Sequence, residues 1–426
     1  MDLSRRQFLQ VAGLGALSVA GASFLTGCGG SGGSDGGSSS VANKDKPVVF
    51  YNRQPSNSKT GKLDDAALKF NDKTYYVGFD ATQGAELQGQ MVKDYIEKNI
   101  DKIDRNGDGI IGYVLAIGDV GHNDSIARTR GVRKVLGTAV EASDGIVSDP
   151  VGNNGDGKSD KVQDGKLTIN GKDYTVRELA SDEMKNSAGA TWDAATAGDK
   201  ISAWSSDLGD KIDVVVSNND GMGMAMYNKW AEKEGVPVFG YDANSDAVEA
   251  IGKSYGGTIS QAPDIQAYLT LRLLRNGLDG VDIETGISKE DDAGNKLEDD
   301  AYKYVEKERS YYAMNQAVTK DNYKDYLDST KIMHKATNAL DTKKSPEKKV
   351  WLSTYNTADN FLGSTYKPLL KKFATQFNLK VDYIDGDGQS ESTITNKLGN
   401  PSEYDAFAIN MVKTDNAATY TSILSQ

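Results

Sequence analysis

From residue 47 onward the chain alternates two kinds of block. Short, nearly continuous apolar runs of strand length have the pattern of strands buried on both faces. They are PVVFYN (47–52), TYYVGF (74–79), IIGYVLAI (110–117), KIDVVVS (211–217), VPVFGY (236–241), GGTIS (256–260), ERSYYAM (308–314), VWLSTY (350–355), LKVDYID (379–385) and YDAFAIN (404–410). Between them stand segments with helical spacing. Residues 82–98 place Leu87, Met91, Val92, Tyr95 and Ile96 on one face. Further helices are predicted near Asp124, over 263–277, from Phe361, between 385 and 404, and at the carboxyl end. Strands alternating with helices predict a mainly parallel α/β architecture. Residues 145–175, rich in Gly and Asp, read instead as a loop with a hairpin, KLTINGKDYTV, turning on Asn-Gly. No short repeat period is visible.

One stretch, 104–128, carries two chemical devices around a strand. Asp104, Asn106 and Asp108 alternate and Gly109 follows, the opening of a calcium loop. Such a loop gathers oxygen ligands, and Ile110 would add its carbonyl. The competing reading is an Asx-rich turn without metal. After the strand, GDVGHNDSIAR sets His122, Asn123, Asp124 and Arg128 near its carboxyl end, where open α/β sheets bind ligands. A second Asp/Asn/Gly run, NNGDGKSD (153–160), lacks an acidic closure and reads as a turn-rich loop.

Composition narrows the classes. A chain of 426 residues suits one large or two medium domains. A net charge of −12 without basic stripes argues against nucleic acid and anionic membrane surfaces. One Cys rules out an internal disulfide framework, and two His, His122 and His334, leave little room for histidine metal sites. Residues 1–27 read as a twin-arginine lipoprotein signal peptide: Arg5-Arg6, an apolar segment too short to span a membrane comfortably, then Leu25-Thr26-Gly27-Cys28. The expectation is cleavage before Cys28 and lipidation of its thiol, so that a lipid anchor alone meets the membrane. Residues 28–46 are read as a flexible tether.

Beyond the tether the chain resembles the galactose/glucose-binding periplasmic binding proteins, in rotated order. PVVFYNRQPS is similar to the fourth strand of that family's first lobe. VWLSTYNTADNF is similar to its amino-terminal strand and sugar loop, and YDAFAINMV to its third strand. The resemblance implies a type I periplasmic binding protein: two doubly wound parallel-sheet lobes with a hinge, circularly permuted. Lobe I would take 47–78, 263–306 and 349–426; lobe II would take 79–262 and 313–328. Residues 329–348 would join the family's usual termini, with an extended reach of roughly 60 Å.

The same resemblance implies the site. Asp359, Phe361, Asn52 and Arg53 would come from lobe I, and His122, Asp124, Arg128, Trp192, Asn219 and Asp242 from lobe II. Phe361 and Trp192 would sandwich a monosaccharide ring, while carboxylates accept from hydroxyls and Arg donates. Gln261 stands where the family has Asn, and Arg53 where Lys is common, which bears on the choice of hexose. Trp192 as core, His122 as a helix cap, Asn219 as a turn residue and Phe361 as a helix's apolar face are the competing structural roles. Asp359 as an N-cap is compatible with ligand binding. For the calcium loop the resemblance adds a distant acidic ligand, Asp213, and leaves Gly112 without a side chain at the ninth position. The implied partners are a galactose- or glucose-type monosaccharide, the permease and ATPase of an ABC importer, and a chemoreceptor as a further candidate; the chain would not be an enzyme. A glycoside hydrolase is the alternative class, but no carboxyl group is marked in the sequence by a pKa-raising neighbourhood. A sugar-sensing receptor could use the same fold, while a repressor of related fold would need a DNA-binding head where this chain has its signal and tether.

Overall fold

All but one of the apolar runs pair into two sheets, each buried on both faces; Thr258–Ser260 pairs antiparallel with Gln316–Val318 instead. In the computed structural model the described residues are 43–57, 62–142, 145–146, 148–155, 159–287, 301–327, 345–387 and 390–426. The signal segment, Cys28 and most of the 329–348 joining segment lie outside them. The first sheet has seven strands, in the order Tyr302–Val305, Ser310–Ala313, Thr74–Phe79, Val48–Tyr51, Ala406–Ile409, Lys348–Thr354 and Leu379–Asp385. All neighbours are parallel except the first pair. Val48 stands between Thr74 and Phe407, so the two ends of the sequence share one sheet. Alternation sorts the side chains: Val49, Tyr51, Val77 and Leu352 pack on one face, and Val48, Phe50, Trp351 and Phe407 on the other.

The second sheet runs Val238–Phe239, Val214–Ser217, Ile110–Ile117 and Lys172–Glu183, all parallel. Gly152–Asn153 and Gly165–Ile169 pair antiparallel with Lys172–Glu183. The Asn-Gly hairpin is present, with Asn170 and Gly171 both at positive φ. Its second arm corrects the sequence reading. That arm continues to Glu183 as an interior parallel strand beside Ile110–Ile117. Polar residues in RELASDE hid it, but Glu178 and Ser181 are buried and hydrogen-bonded to Arg133. Residues 43–46 also differ from a free tether. Asn71 donates to the carbonyls of Lys44 and Lys46, and Lys46 Nζ reaches the Pro401 carbonyl at 3.1 Å.

Among the described residues three crossings join the two halves. Phe79 leads through Asp80 into the helix Ala81–Lys98, Ser260 into Pro263–Asp279, and Ala313 into Gln316–Val318. Pro263–Asp279 packs on the first sheet through Ile265, Leu269 and Leu273. Ala81–Lys98 packs on the second through Met91, Val92 and Ile96, with Leu87 and Tyr95 partly buried.

Candidate functional site

Parallel strands of both sheets end at one cleft, and the loops that follow them supply its walls. Asn52 and Arg53 follow Val48–Tyr51, while Asp359 and Phe361 follow Lys348–Thr354. His122, Asp124 and Arg128 follow Ile110–Ile117, and Trp192 follows Lys172–Glu183. Asn219 follows Val214–Ser217, Asp242 follows Val238–Phe239, and Gln261 directly follows Thr258–Ser260. The structure brings all eleven around one cavity, together with Tyr355 and Leu362. The cavity is small, about 50 Å³, well below the roughly 300 Å³ at which ligand pockets begin. Open chambers of about 480 and 1010 Å³ flank it and share Arg53 and His122 with it. The cleft is thus nearly shut.

Local backbone aims several of these side chains. Asn52, Trp192 and Asp242 have φ of 61°, 60° and 110°. Positive φ is costly for residues with a Cβ and tends to persist at ligand sites. Trp192 lies against Gly118, where a Cβ would come within 2.3 Å of the indole, so glycine is required there. His122 and Asn219 do cap helices, accepting from the amides of Asp124 and Met222. Asp359 accepts from the Leu362 amide at 2.9 Å and from the Tyr355 hydroxyl at 3.0 Å. Phe361 belongs to the first sheet's core and still lines the cavity.

Arg128 is the centre of the second wall. Its Nη1 donates to the Asn218 carbonyl at 2.6 Å and stands 3.6 Å from Asp242 Oδ1. Its guanidinium lies 3.6 Å from the centre of the Tyr241 ring and 5.7 Å from that of Trp192. Gln261 Nε2 also donates to Asp242 Oδ1. Burial pushes the Asp242 carboxyl up to about 7; Arg128 opposes the shift, and Asp359 across the cleft adds to it. This corrects the expectation that no carboxyl group has a pKa-raising neighbourhood. Arg53 lies over Tyr355, 3.7 Å from the ring centre, and donates to the Val412 carbonyl.

Three buried polar atoms here have no hydrogen-bond partner: His122 Nε2, Arg128 Nε and Gln261 Oε1. Burial and the nearby Arg53 push His122 down to about 4, so the ring is neutral at pH 7. Since Nδ1 accepts from an amide, Nε2 carries the proton. The amide of Gln261 is held by its bond to a carboxylate, which leaves Oε1 as the unpaired acceptor. The cleft therefore offers two unmet donors and one unmet acceptor. Such groups are costly unless a ligand pairs with them.

Tyr355 and Leu362 were missed in the sequence. Tyr355 carried a usable signal, an aromatic directly past a strand's carboxyl end; Leu362 carried none.

At the other end of Ile110–Ile117 the loop bonds mainly to itself. Asp108 and Gly109 amides donate to Asn106 Oδ1 and Asp104 Oδ2, both at 3.1 Å. Asp213 accepts from the amides of Arg105 and Gly112 at 3.0 and 2.8 Å. Asp104 Oδ1 alone is buried without a partner. Burial raises the Asp213 carboxyl to about 7, and Asp104 and Asp108 add like charge. Among the described residues no group of three or more His, Cys, Asp or Glu is gathered as a metal centre.

Residues 40–282 match the model of a periplasmic binding protein domain, and residues 347–417 match a second model of the same description. The first match spans more than half of the chain, and the chain belongs to the periplasmic binding protein domain family. It is a family of binding proteins, not of enzymes. The chain is 30% identical over 233 residues to the D-galactose/methyl-galactoside binding periplasmic protein of Haemophilus influenzae. That match covers 54% of this chain and 56% of the relative, so the chain spans about half of the relative's length. Among solved structures, an ABC transporter periplasmic solute binding protein from Actinobacillus succinogenes, with bound D-allose, is 16% identical with a TM-score of 0.41 and coverage of 66% and 72%. GanP, a glucose-galactose binding protein from Geobacillus stearothermophilus, is 11% identical with a TM-score of 0.37 and coverage of 65% and 68%.

Proposed function

We propose that this chain is the exported receptor of an ABC sugar importer and captures a galactose- or glucose-type monosaccharide between its two lobes. The observation that carries this is the set of unmet groups in the cleft: His122 Nε2, Arg128 Nε and Gln261 Oε1, beside the carboxylates of Asp242, Asp359 and Asp124. A hexose has a rim of hydroxyls, each able to donate and to accept, and so can pair with both kinds of group. Trp192 and Phe361 supply apolar surface for its C–H faces. Because the walls come from two sheets, only a closed cleft meets the whole rim, and closure would present one surface to the permease and ATPase. A hydrolase would also hold carboxyl groups near a sugar, but Asp242 is fixed by Arg128 and Gln261, and the family is one of binders.

Three finer readings belong with this. Cys28 carries a lipid that holds the protein at the cell envelope. A calcium ion is held by Asp104, Asn106, Asp108, the Ile110 carbonyl and Asp213; the partnerless Asp104 Oδ1 and the like charge around Asp213 support it, and the ion would neutralise that charge. The chain order is a rotation of the family's, supported by the two ends of the sequence pairing in one sheet. Calorimetry of the whole chain against a panel of hexoses tests the main reading: one tight, stereoselective ligand is expected, and no binding by any hexose refutes it.

A further inference from the structure

The hinge and the cleft meet at one side chain. Tyr241, next to Asp242, is fully buried. Its ring lies beneath the Arg128 guanidinium, and its hydroxyl donates to Asn315 Oδ1 at 2.8 Å. Asn315 stands on the Ala313-to-Gln316 crossing. Its Nδ2 donates at 2.8 Å to the carbonyl of Asp80, on the Phe79-to-Ala81 crossing, and to Gln83 Oε1. Gln83 in turn accepts from the Asn315 amide at 3.1 Å. Space for this contact depends on Gly84. A Cβ there would fall 1.9 Å from the Tyr241 hydroxyl and 2.7 Å from the Asn315 side chain. The residue that sets the plane of Arg128 is thus bonded to one crossing directly, and through Asn315 to a second.

We propose that Tyr241 and Asn315 are positioning residues that tie Arg128's grip on the ligand to the angle of the hinge. The inference rests on reading the cleft as the hexose site. Arg128 reaches the ligand through its free Nε, and its orientation is fixed by the Tyr241 ring and the Asn218 carbonyl. A change of hinge angle that moves Asn315 and Asp80 against the second sheet must either break the Tyr241 hydroxyl bond or turn the ring under Arg128. The nearly closed cleft and the ligand-ready Arg128 are therefore one state. Ligand binding favours closure only through contacts that differ between open and closed forms, and this bond is such a contact.

The test uses the whole chain and two variants, Tyr241→Phe and Gly84→Ala. The first keeps the ring under Arg128 and removes the hydroxyl. The second keeps both partners and forces them apart. Calorimetry against the hexose panel should show affinity reduced by roughly twofold to tenfold in each, the worth of one hydrogen bond. Small-angle scattering should show a larger difference in radius of gyration between ligand-free and hexose-saturated protein than in the wild type. A lower melting temperature with unchanged affinity and unchanged scattering would mean a merely structural role and overturn the inference, while leaving the site intact. Wild-type protein that binds no hexose would overturn the reading of the site and the inference together.

Discussion

The two ends of the Ile110–Ile117 strand hold similar residue types and do different things with them. At the amino end Asp104, Asn106, Asp108 and Asp213 cap backbone amides of their own loop and of the neighbouring strand. At the carboxyl end polar side chains from both sheets converge, and three of their atoms are sealed without partners. Residue type does not separate the two. What separates them is how much hydrogen-bonding capacity the fold leaves unmet. The loop leaves one such atom, Asp104 Oδ1, and the cleft leaves three. A ligand is bound where the fold has removed water without supplying a substitute.

The sharpest way to break this contrast is Arg128→Met. It removes a buried charged donor that faces the ligand and should reduce hexose affinity by about 2–5 kcal/mol, as for one partner lost from a buried charged hydrogen bond. Calorimetry would read this as near-abolition, and the response to calcium should be untouched. A loss under tenfold would mean that Arg128 is not the centre of the site. Asp108→Ala probes the other end. Calcium at about 100 times its Kd should stabilise the wild type by about 2.7 kcal/mol. The variant should lose that rise in melting temperature and keep its hexose affinity. Melting curves that are the same with calcium and with chelator would dispose of the metal loop.

Phe361→Ala should weaken hexose binding by about 1.5–3 kcal/mol, the range for burying a large apolar side chain. Its melting temperature should also fall, because Phe361 packs in the first sheet's core. Unaltered affinity would assign Phe361 to the core alone. A further test is a slope. Asp242 has a folded pKa raised from 3.8 to about 7, so the folded form keeps a proton that the unfolded form has lost. Stability from this group is greatest below about pH 4, falls as pH rises toward about 7, and is level above. Asp242→Asn should flatten that part of the plot of melting temperature against pH. An equal slope in both proteins would show that other groups carry it.

Much of this was legible from pattern. Buried parallel strands are continuous apolar runs, and nearly every one was found within a few residues. Lys172–Glu183 was not. Its inward-facing Glu178 and Ser181 look like surface residues until Arg133 is seen to pair with them. The cleft residues were reached because turns past apolar runs are places where ligands bind, and the resemblance told which turns mattered. Tyr241 and Asn315 were out of reach, since they lie 74 residues apart and meet only across the hinge.

By itself the sequence determined the class of architecture, the alternation of strand and helix, the chemistry available at each turn and the motif ending in Cys28. These are local properties, set by side-chain periodicity and the preferences of short segments. Tertiary structure alone decided the register in which Val48 pairs with both Thr74 and Phe407, while a shared lobe for the chain's two ends was an expectation from the resemblance. It also decided that Asp242 faces Arg128 and Gln261, and which polar atoms are left without partners. Those outcomes depend on which surfaces exclude water together. Burial, and with it the cost of an unpaired donor or a shifted carboxyl, exists only once distant segments have packed.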